Sequence, residues 1–320
     1  MTTWAEIESA ARQPDPAASA DSRAAQVSRT SHRATSRLRW SDHLIVGSID
    51  VAAHVFQRRA RHIVLGSAVL MVPMVALHLL LTVLAFDSYQ DFDSFLGDRG
   101  YVGVETGLVM LGVAAQSLSA HLIGAYTAAY LVPYQMGGDP RMRVCLGRVV
   151  RKIPLLTLTW ALTHWPTLVT MWWFVVLAPG EAVALLWFMV PVIAMISAMS
   201  LVVAPVVMIE QLGVRSIGRA WRLGRNRFGA TFGFVLACGV LGGMLAAFIA
   251  FLPDLAQATG FITFGSLSWL VQGVTTQLAV LLVLPFVAIA TSQMYLQLRV
   301  QAEGLDIAIA ADRVFEKVTV

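Results

Sequence analysis

Three histidines stand within long apolar stretches of this sequence: His78, His121 and His164. Ionisable side chains are costly in such surroundings, so these are candidates for ligand binding, proton transfer or metal coordination. Counted along their stretches, they lie at depths that differ by several ångströms, given a helical rise of about 1.5 Å per residue. The ligands of one metal ion all lie within about 2 Å of it. This spacing therefore predicts packed, neutral, hydrogen-bonded histidines, with no metal and no cofactor.

Two glutamates flank the apolar stretches, Glu105 near the start of the second and Glu210 at the end of the fourth. Neither has a second carboxylate at the spacing of an acid–base pair. Glu210 precedes a basic segment, and we expect it to pair with Arg215 or Arg219. The sequence contains no nucleophile elbow, phosphate-binding loop or dinucleotide fingerprint. These residues form no catalytic set, and we expect a protein that is not an enzyme.

The composition is that of an integral membrane protein. Of the 320 residues, 57% are hydrophobic and 13% are charged, and the mean hydropathy is +0.70. Soluble domains carry about 25% charged residues. The two cysteines, Cys145 and Cys238, have no CxxC neighbour. Neither a zinc site nor a disulfide framework is therefore expected.

Six stretches reach the length of about 20 apolar residues that a helix needs to cross a bilayer. They cover about 63–86, 104–132, 154–178, 182–208, 230–252 and 267–297. The predicted fold is an all-α membrane bundle over 39–310, with six spans arranged as three hairpins. Residues 1–38 are rich in Ala, Ser and Arg and are predicted to be a disordered cytoplasmic tail. Residues 311–320 form a short C-terminal tail.

Positive charge is concentrated on one side of these spans. Of the 23 lysines and arginines, 22 fall before the first span, in the segments after the second and fourth spans, or after the last span, and only Arg99 falls on the other side. Because basic residues stay on the cytoplasmic side, we predict a multi-pass inner-membrane protein with both termini in the cytoplasm. The opposite loop, 87–101, carries four aspartates. It lacks the glycine and the terminal glutamate of a calcium loop, so a solvated acidic loop is expected.

A short basic amphipathic helix is predicted before the first, third and fifth spans. In 214–228, Val214, Ile217, Trp221, Gly224 and Phe228 share an arc of about 80°, with arginines on its flank. These helices are expected to lie on lipid headgroups or to dock a protein partner. The residues predicted to do so are Arg58, Arg59, Arg148, Arg151, Arg215, Arg219, Trp221, Arg222 and Arg225.

The same design recurs three times along the chain. Each unit contains an amphipathic helix and two spans, with a proline near the end of its second span: Pro133, Pro205 and Pro285. This pattern favours an internal repeat of three parallel units, each with a proline kink. Nucleic acid is not an expected partner, because the arginines lead directly into spans and must lie at headgroup depth.

Three stretches resemble one group of bacterial membrane proteins. The first is PVVMIEQLGVRSIGRAWRLGRNRFGATFG (205–233), in which an acidic residue follows a span and a small helix contains R-A-W-R-L. The second is LPFVAIATSQMYLQLRVQAEGLDIAIA (284–310), and the third is RWSDHLIVGSIDVAAHVFQRRARHIVLGSAVLMVPM (39–74). The group comprises the membrane domain associated with glycerophosphoryl diester phosphodiesterases and related six-span proteins of unknown function. The resemblance covers most of 39–310.

The resemblance implies a fold and a location in the membrane, but it does not imply a reaction. Gln297 stands where an aspartate is common in the group. The phosphodiesterase of that name is a separate soluble barrel with acidic metal ligands. A barrel of that kind takes about 250 residues, which this chain does not have to spare.

Three functions remain open at the level of sequence. The first is a non-enzymatic scaffold or subunit of a membrane assembly, whose partners are membrane lipid and other membrane or cytoplasmic proteins. The second is a transporter or lipid-handling protein with a site between the hairpin repeats. The third is a membrane-embedded enzyme that uses the histidines. Uncharged polar residues would line a transport site: Gln116, Ser117, Ser119, Thr157, Thr159, Thr163, Gln272, Thr275, Thr276 and Gln277.

Overall fold

A computed structural model describes residues 43–85, 104–176, 179–265 and 268–304 of the chain. Within these ranges the chain forms nine α-helices and one 3₁₀ turn, Gly213–Arg215. The helices are α1 Leu44–Ala85, α2 Val104–Gln135, α3 Met142–Arg151, α4 Ile153–Val176, α5 Pro179–Ser200, α6 Val203–Ile209, α7 Ser216–Asn226, α8 Phe228–Ala258 and α9 Ser268–Glu303. The predicted tails, 1–38 and 311–320, and the acidic loop, 87–101, lie outside the described residues.

The prediction of an all-helical membrane protein is confirmed over the described ranges. Five helical stretches there are long and apolar enough to cross a membrane: Leu44–Leu81, Thr106–Gln135, Phe188–Ile209 (the second half of α5 together with α6), Phe228–Ala258 and Gly273–Glu303. The predicted third span corresponds to α4, which is not among the five. Threonines, tryptophans, a histidine and a proline separate its leucines and lower its hydropathy.

A basic residue in a non-helical conformation stands at each junction between an amphipathic segment and the apolar helix that follows it. Arg59 interrupts α1 with φ −130° and ψ 18°. Lys152 separates α3 from α4 with φ −103° and ψ 6°. Arg227 separates α7 from α8 with φ −132° and ψ 44°. Each amphipathic segment therefore changes direction before the apolar helix begins.

The three prolines predicted to kink the spans differ in their effect. Pro205 stands in the first turn of α6, a position where its missing N–H is tolerated. The turn at Leu201 and Val202 separates α6 from α5, so the fourth predicted span is divided into two helices. Pro133 and Pro285 lie inside the continuous helices α2 and α9.

Close packing joins α1, α2 and α9. The Tyr126 hydroxyl of α2 donates a hydrogen bond to the His62 carbonyl of α1 at 2.8 Å. A Cβ at Gly66 would lie 2.1 Å from the Tyr126 ring, so only glycine allows this approach. Phe56 of α1 meets Phe286 of α9 edge to face at 6.1 Å between ring centroids.

The most buried part of the bundle lies towards the ends of α2, α6 and α9. Tyr126, Tyr130 and Tyr295 are buried completely there. By contrast, α8 presents an apolar surface with exposed Met244 and Phe248. A continuous apolar surface is expected of a helix that faces lipid tails.

Candidate functional site: the basic end of the bundle

Five polar side chains from α6, α7 and α9 form one ion-pair network. Glu210 accepts hydrogen bonds from Arg219 Nε at 2.9 Å and from the Tyr295 hydroxyl at 2.9 Å. Arg299 Nε lies 3.7 Å from Glu210 Oε1 and donates to Glu303 Oε2 at 3.0 Å. Arg219 also pairs with Glu303. The network joins the end of α6 to α7 and to the end of α9.

Local backbone geometry places Arg219 over Glu210. The chain reverses between α6 and α7 through Gln211, with φ 53°, and Gly213, with φ 60°. Both values lie in the left-handed region, which glycine adopts freely and other residues rarely do. The reversal returns α7 across the end of α6, so that Arg219 reaches the Glu210 carboxylate.

The network balances its charges. Two carboxylates face two guanidinium groups, and all four charged side chains are at most 26% exposed. Burial by itself would lower the pKa of Arg219, but the carboxylates of Glu210 and Glu303 outweigh it and raise that pKa above its ordinary value. Arg219 therefore stays charged, and its charge is compensated by Glu210 and Glu303 inside the protein.

The structure confirms one of the two predicted pairings of Glu210. Arg219 is the partner, whereas Arg215 is exposed. The contribution of α9 was missed. The signal was present in YLQLRVQAE, where Tyr295, Arg299 and Glu303 follow one another at intervals of four residues. Residues at this spacing share one face of a helix.

The remaining arginines of the α7 segment face outward. Arg215, Arg222, Arg225 and Arg227 are all exposed. Between them, Trp221 is 42% exposed. We call these five residues the basic surface. A tryptophan flanked by arginines is the composition that lipid headgroups and their phosphates favour.

The buried face of α7 differs from the predicted apolar arc, which was expected to lie on headgroups or on a partner. The buried residues of this helix are Ser216, Ala220, Leu223 and Gly224. Only Gly224 belongs to the predicted arc, and Trp221 lies beside the buried face rather than on it. A Cβ at Gly224 would lie 2.9 Å from the Ala198 carbonyl oxygen. Close backbone packing on α5 thus decides the orientation of the helix.

The arginines of the first segment divide in the same way. Arg59 pairs with Asp139 at 3.1 Å and lies over the Tyr134 ring at 5.4 Å. Arg58 is exposed. One predicted surface arginine therefore binds α1 to the segment after α2, and its neighbour is left to solvent or headgroups.

In α3, Arg148 and Arg151 are exposed as predicted, and Cys145 and Val149 are buried. Lys152 donates to the Val207 carbonyl of α6 at 2.8 Å. Carbonyl groups in the last turn of a helix have no partner within that helix, so the ammonium caps α6. Burial, with a smaller contribution from Arg148, lowers the pKa of Lys152.

Two of the three histidines meet between α2 and α4. The rings of His121 and His164 lie edge to face with centroids 5.7 Å apart. The sequence analysis placed these two histidines at different depths in the membrane. A count of residues gives depth only along a single helix and ignores how two helices align when they pack. His121 Nε2 lies 3.4 Å from the Thr159 hydroxyl, and His164 Nδ1 lies 2.9 Å from the Thr163 hydroxyl. Both are hydrogen-bonded, as predicted.

The hydroxyls that face the histidines also lie against backbone carbonyls. Thr159 Oγ1 lies 3.0 Å from the Leu156 carbonyl oxygen, and Thr163 Oγ1 lies 2.8 Å from the Thr159 carbonyl oxygen. His164 Nδ1 lies 3.2 Å from the Trp160 carbonyl oxygen, which can only accept a hydrogen bond, so this contact favours a proton on Nδ1 of His164. Trp160 stacks on His164 at 6.2 Å.

The other two intramembrane candidates are not part of this pair. His78 of α1 packs against Gly112 of α2, where a Cβ would lie 2.2 Å from His78 Nδ1. Glu105 lies in the first turn of α2, and its side chain is outside the described part of the structure. Among the described residues, no group of three or more His, Cys, Asp or Glu side chains could hold a metal ion.

A second polar cluster lies where α2 ends beside α9. Gln135 Nε2 donates to Gln293 Oε1 at 2.6 Å. Thr127 and Ser292 lie 3.4 Å apart, hydroxyl to hydroxyl, along the same pair of helices. Sequence analysis named none of these residues, because an amide in an apolar stretch gives no indication of what it faces.

Comparisons with protein families, with curated proteins and with solved structures find no match for this chain. The geometry of its own residues therefore carries the functional argument.

Proposed function

We propose that this chain is a non-enzymatic scaffold or subunit of a membrane assembly in the inner membrane, with its basic end in the cytoplasm. One observation carries this proposal: the division of the arginines around α7. Arg219 is used inside the protein by Glu210 and Glu303, whereas the arginines of the basic surface are exposed beside Trp221. The fold thus presents a charged, aromatic surface of the kind that suits lipid headgroups or a docking partner.

The proposed topology has six spans in three hairpins, with α4 as the third span. α4 contains 24 residues, which is about 36 Å of helix at 1.5 Å per residue and exceeds a hydrocarbon core of about 30 Å. The bond from Lys152 to Val207 joins the start of α4 to the end of α6. This contact supports a path in which the chain leaves the basic end through α4 and returns to it through α5 and α6.

The three basic junctions support an internal repeat. In each unit, one basic residue interrupts the helix directly before the apolar segment: Arg59, Lys152 or Arg227. The proposed membership of the group with a phosphodiesterase-associated membrane domain rests on the sequence stretches quoted above. This membership would imply a location in the membrane, but none of the hydrolase chemistry.

Purification at native expression in a mild detergent tests the scaffold role. We expect the wild-type chain to migrate on a native gel as a species larger than the monomer. The triple variant Arg215→Gln, Arg222→Gln and Arg225→Gln should reduce that species to the monomer while the thermal unfolding temperature stays unchanged. A wild-type chain that runs as a clean monomer would contradict the proposal.

A second triple variant provides a matched control. Arg61→Gln, Arg141→Gln and Arg143→Gln remove the same charge from other exposed positions. We expect this control to keep the larger species. If both triples dissociate it equally, bulk charge and not the basic surface holds the assembly together.

A transporter is the second candidate, and the histidine pair favours it. His121 and His164 belong to different proposed hairpins and meet inside the bundle. Transport sites commonly lie between such repeats near the bilayer midplane. Replacement of either histidine by glutamine should then abolish a transport phenotype in cells without lowering the amount of protein in the membrane. Wild-type growth of both variants under every condition that requires the gene would exclude this candidate.

A further inference from the structure

Three glutamines, one on α2 and two on α9, are buried inside the bundle. Gln135, Gln293 and Gln297 are 2%, 0% and 2% exposed. Gln293 and Gln297 stand four residues apart on α9 and therefore share one face of the helix. Gln135 reaches Gln293 from the last turn of α2 at 2.6 Å. We call these three residues the amide cluster.

The amide cluster is poorly satisfied by the protein itself. Within the described part of the chain, four of its buried atoms have no hydrogen-bond partner: Gln135 Oε1, Gln293 Nε2, Gln297 Nε2 and Gln297 Oε1. A buried amide without a partner loses its hydration and gains nothing in return. Native proteins satisfy the great majority of such groups with protein atoms or with ordered water. The cluster therefore needs a partner from outside these residues.

The unsatisfied atoms define the chemistry of that partner. Two are carbonyl oxygens, which accept hydrogen bonds, and two are NH₂ nitrogens, which donate them. None carries a charge. The charged residues of α9, Arg299 and Glu303, are occupied by Glu210, Arg219 and each other. An ionic ligand would thus be buried without a counter-charge, which is strongly unfavourable.

A hydroxyl group both donates and accepts, and it is neutral. We propose that the amide cluster is a binding site for a neutral hydroxyl ligand, either ordered water or the hydroxyl of a polyol such as glycerol. The site is distinct from the basic surface, because its residues are buried, whereas those of the basic surface are exposed. The proposed ligand goes beyond the scaffold role, because the ion-pair network and the basic surface do not depend on it.

The sign of one stability change tests the proposal. Gln297→Met keeps the length of the side chain and removes both amide atoms. If a ligand is bound, its bonds to Gln297 are lost, and the unfolding temperature should fall by about 3 °C or more. If the amide is empty, methionine removes an unsatisfied polar group and the unfolding temperature should rise. A rise, or no change, overturns the proposal.

Gln301→Met is the matched control, since it makes the same change at an exposed position on the same helix. We expect it to leave the unfolding temperature unchanged. A measurement on the wild-type chain covers the case in which Gln297→Met fails to fold. In protein labelled with ¹⁵N-glutamine, the Gln297 side-chain amide protons should show cross-relaxation with water or polyol protons. Amide protons that show neither would overturn the proposal.

Titration with glycerol distinguishes the two sources of the hydroxyl. A polyol site predicts that glycerol raises the unfolding temperature of the wild-type chain more than that of Gln297→Met. A water site predicts equal increases, because excluded co-solvents stabilise both chains alike. Cross-relaxation to glycerol CH protons or to water protons at Gln297 gives the same distinction directly.

Discussion

At the scale of single residues, Glu210 is the point where three helices are joined. Its two oxygens receive Arg219 and Tyr295, and Arg299 lies 3.7 Å away. A surface ion pair contributes little to stability, whereas breaking a buried one leaves a charge without compensation. Glu210 is 12% exposed in its side chain, so it belongs with the buried class.

We predict that Glu210→Gln lowers the free energy of unfolding by about 2 kcal/mol, less than for a fully dry pair because solvent screens part of the interaction. Thermal unfolding in detergent measures the change. Asp139→Asn is the control, because that carboxylate pairs with Arg59 but is 81% exposed. It should cost less than about 1 kcal/mol. Equal losses from the two variants would show that Glu210 has no special role.

Cys145 should be inert in the folded protein. Burial raises the pKa of its thiol to about 11, and the thiol donates to the Ala129 carbonyl. Because the thiolate is the reactive form, about one thiol in a thousand is ionised at pH 8. We expect no alkylation of Cys145 by maleimide at that pH until the protein is unfolded in SDS. A cysteine introduced at the exposed Arg143 position should react at once, and rapid labelling of native Cys145 would contradict the packing of α3.

At the scale of elements, the contact between α7 and α5 determines how the basic surface is presented. Gly224 lies against the backbone at Ala198 and Met199, with 2.9 Å between its ideal Cβ position and the Ala198 carbonyl oxygen. Neither backbone group moves easily, so even a methyl group must push the helices apart. Gly218 is in the same helix, and nothing lies within 4 Å of a Cβ there.

Alanine at these two glycines should therefore have opposite effects. Gly224→Ala should destabilise the protein by about 1–3 kcal/mol through overpacking. Gly218→Ala should stabilise it by up to about 1 kcal/mol, because alanine favours the helix. Both are measured by thermal unfolding in the same detergent. Stabilisation by both substitutions would mean that α7 does not pack closely on α5.

At the scale of the whole molecule, the contacts of the described residues gather the basic segments at one end. Arg59 meets Asp139, Lys152 meets Val207, and Arg219 meets Glu303. Together these contacts tie the interrupted part of α1, the start of α4 and the end of α9 to the same end of the bundle. A path with α4 as a span satisfies both these contacts and the distribution of positive charge.

Single cysteines distinguish this path from one with five spans. In intact cells, a membrane-impermeant maleimide should label Asp93→Cys, in the acidic loop, and should fail to label Arg143→Cys and Arg225→Cys. If α4 does not cross the membrane, Arg225→Cys lies on the other side from Arg143→Cys and will be labelled. The native cysteines do not interfere, since both are buried. Permeabilised cells confirm that each introduced thiol is reactive.

How much of the fold and of the candidate site could be predicted from the sequence depends on the kind of interaction. Apolar stretches of sufficient length predict helices in a membrane, because a backbone in lipid must satisfy its hydrogen bonds internally. Pairings between residues close in sequence could also be predicted, as the contact between Glu210 and Arg219 shows. The histidine pair and the amide cluster join residues that are 43 and 158 positions apart. No local pattern encodes which helices pack, at what tilt or in what register.

The sequence by itself determined that this is a helical membrane protein with basic helices beside its apolar ones, because composition, length and charge act on each segment separately. Only the tertiary structure decided which arginines are used inside the fold and which face outward, since that depends on the reversal at Gln211 and Gly213 and on the approach of Gly224 to α5. It also decided that Gln135 of α2 meets Gln293 of α9 and that Gln297, one turn further along α9, is buried. Burial and pairing are properties of the assembled helices, and they differ between residues of the same type.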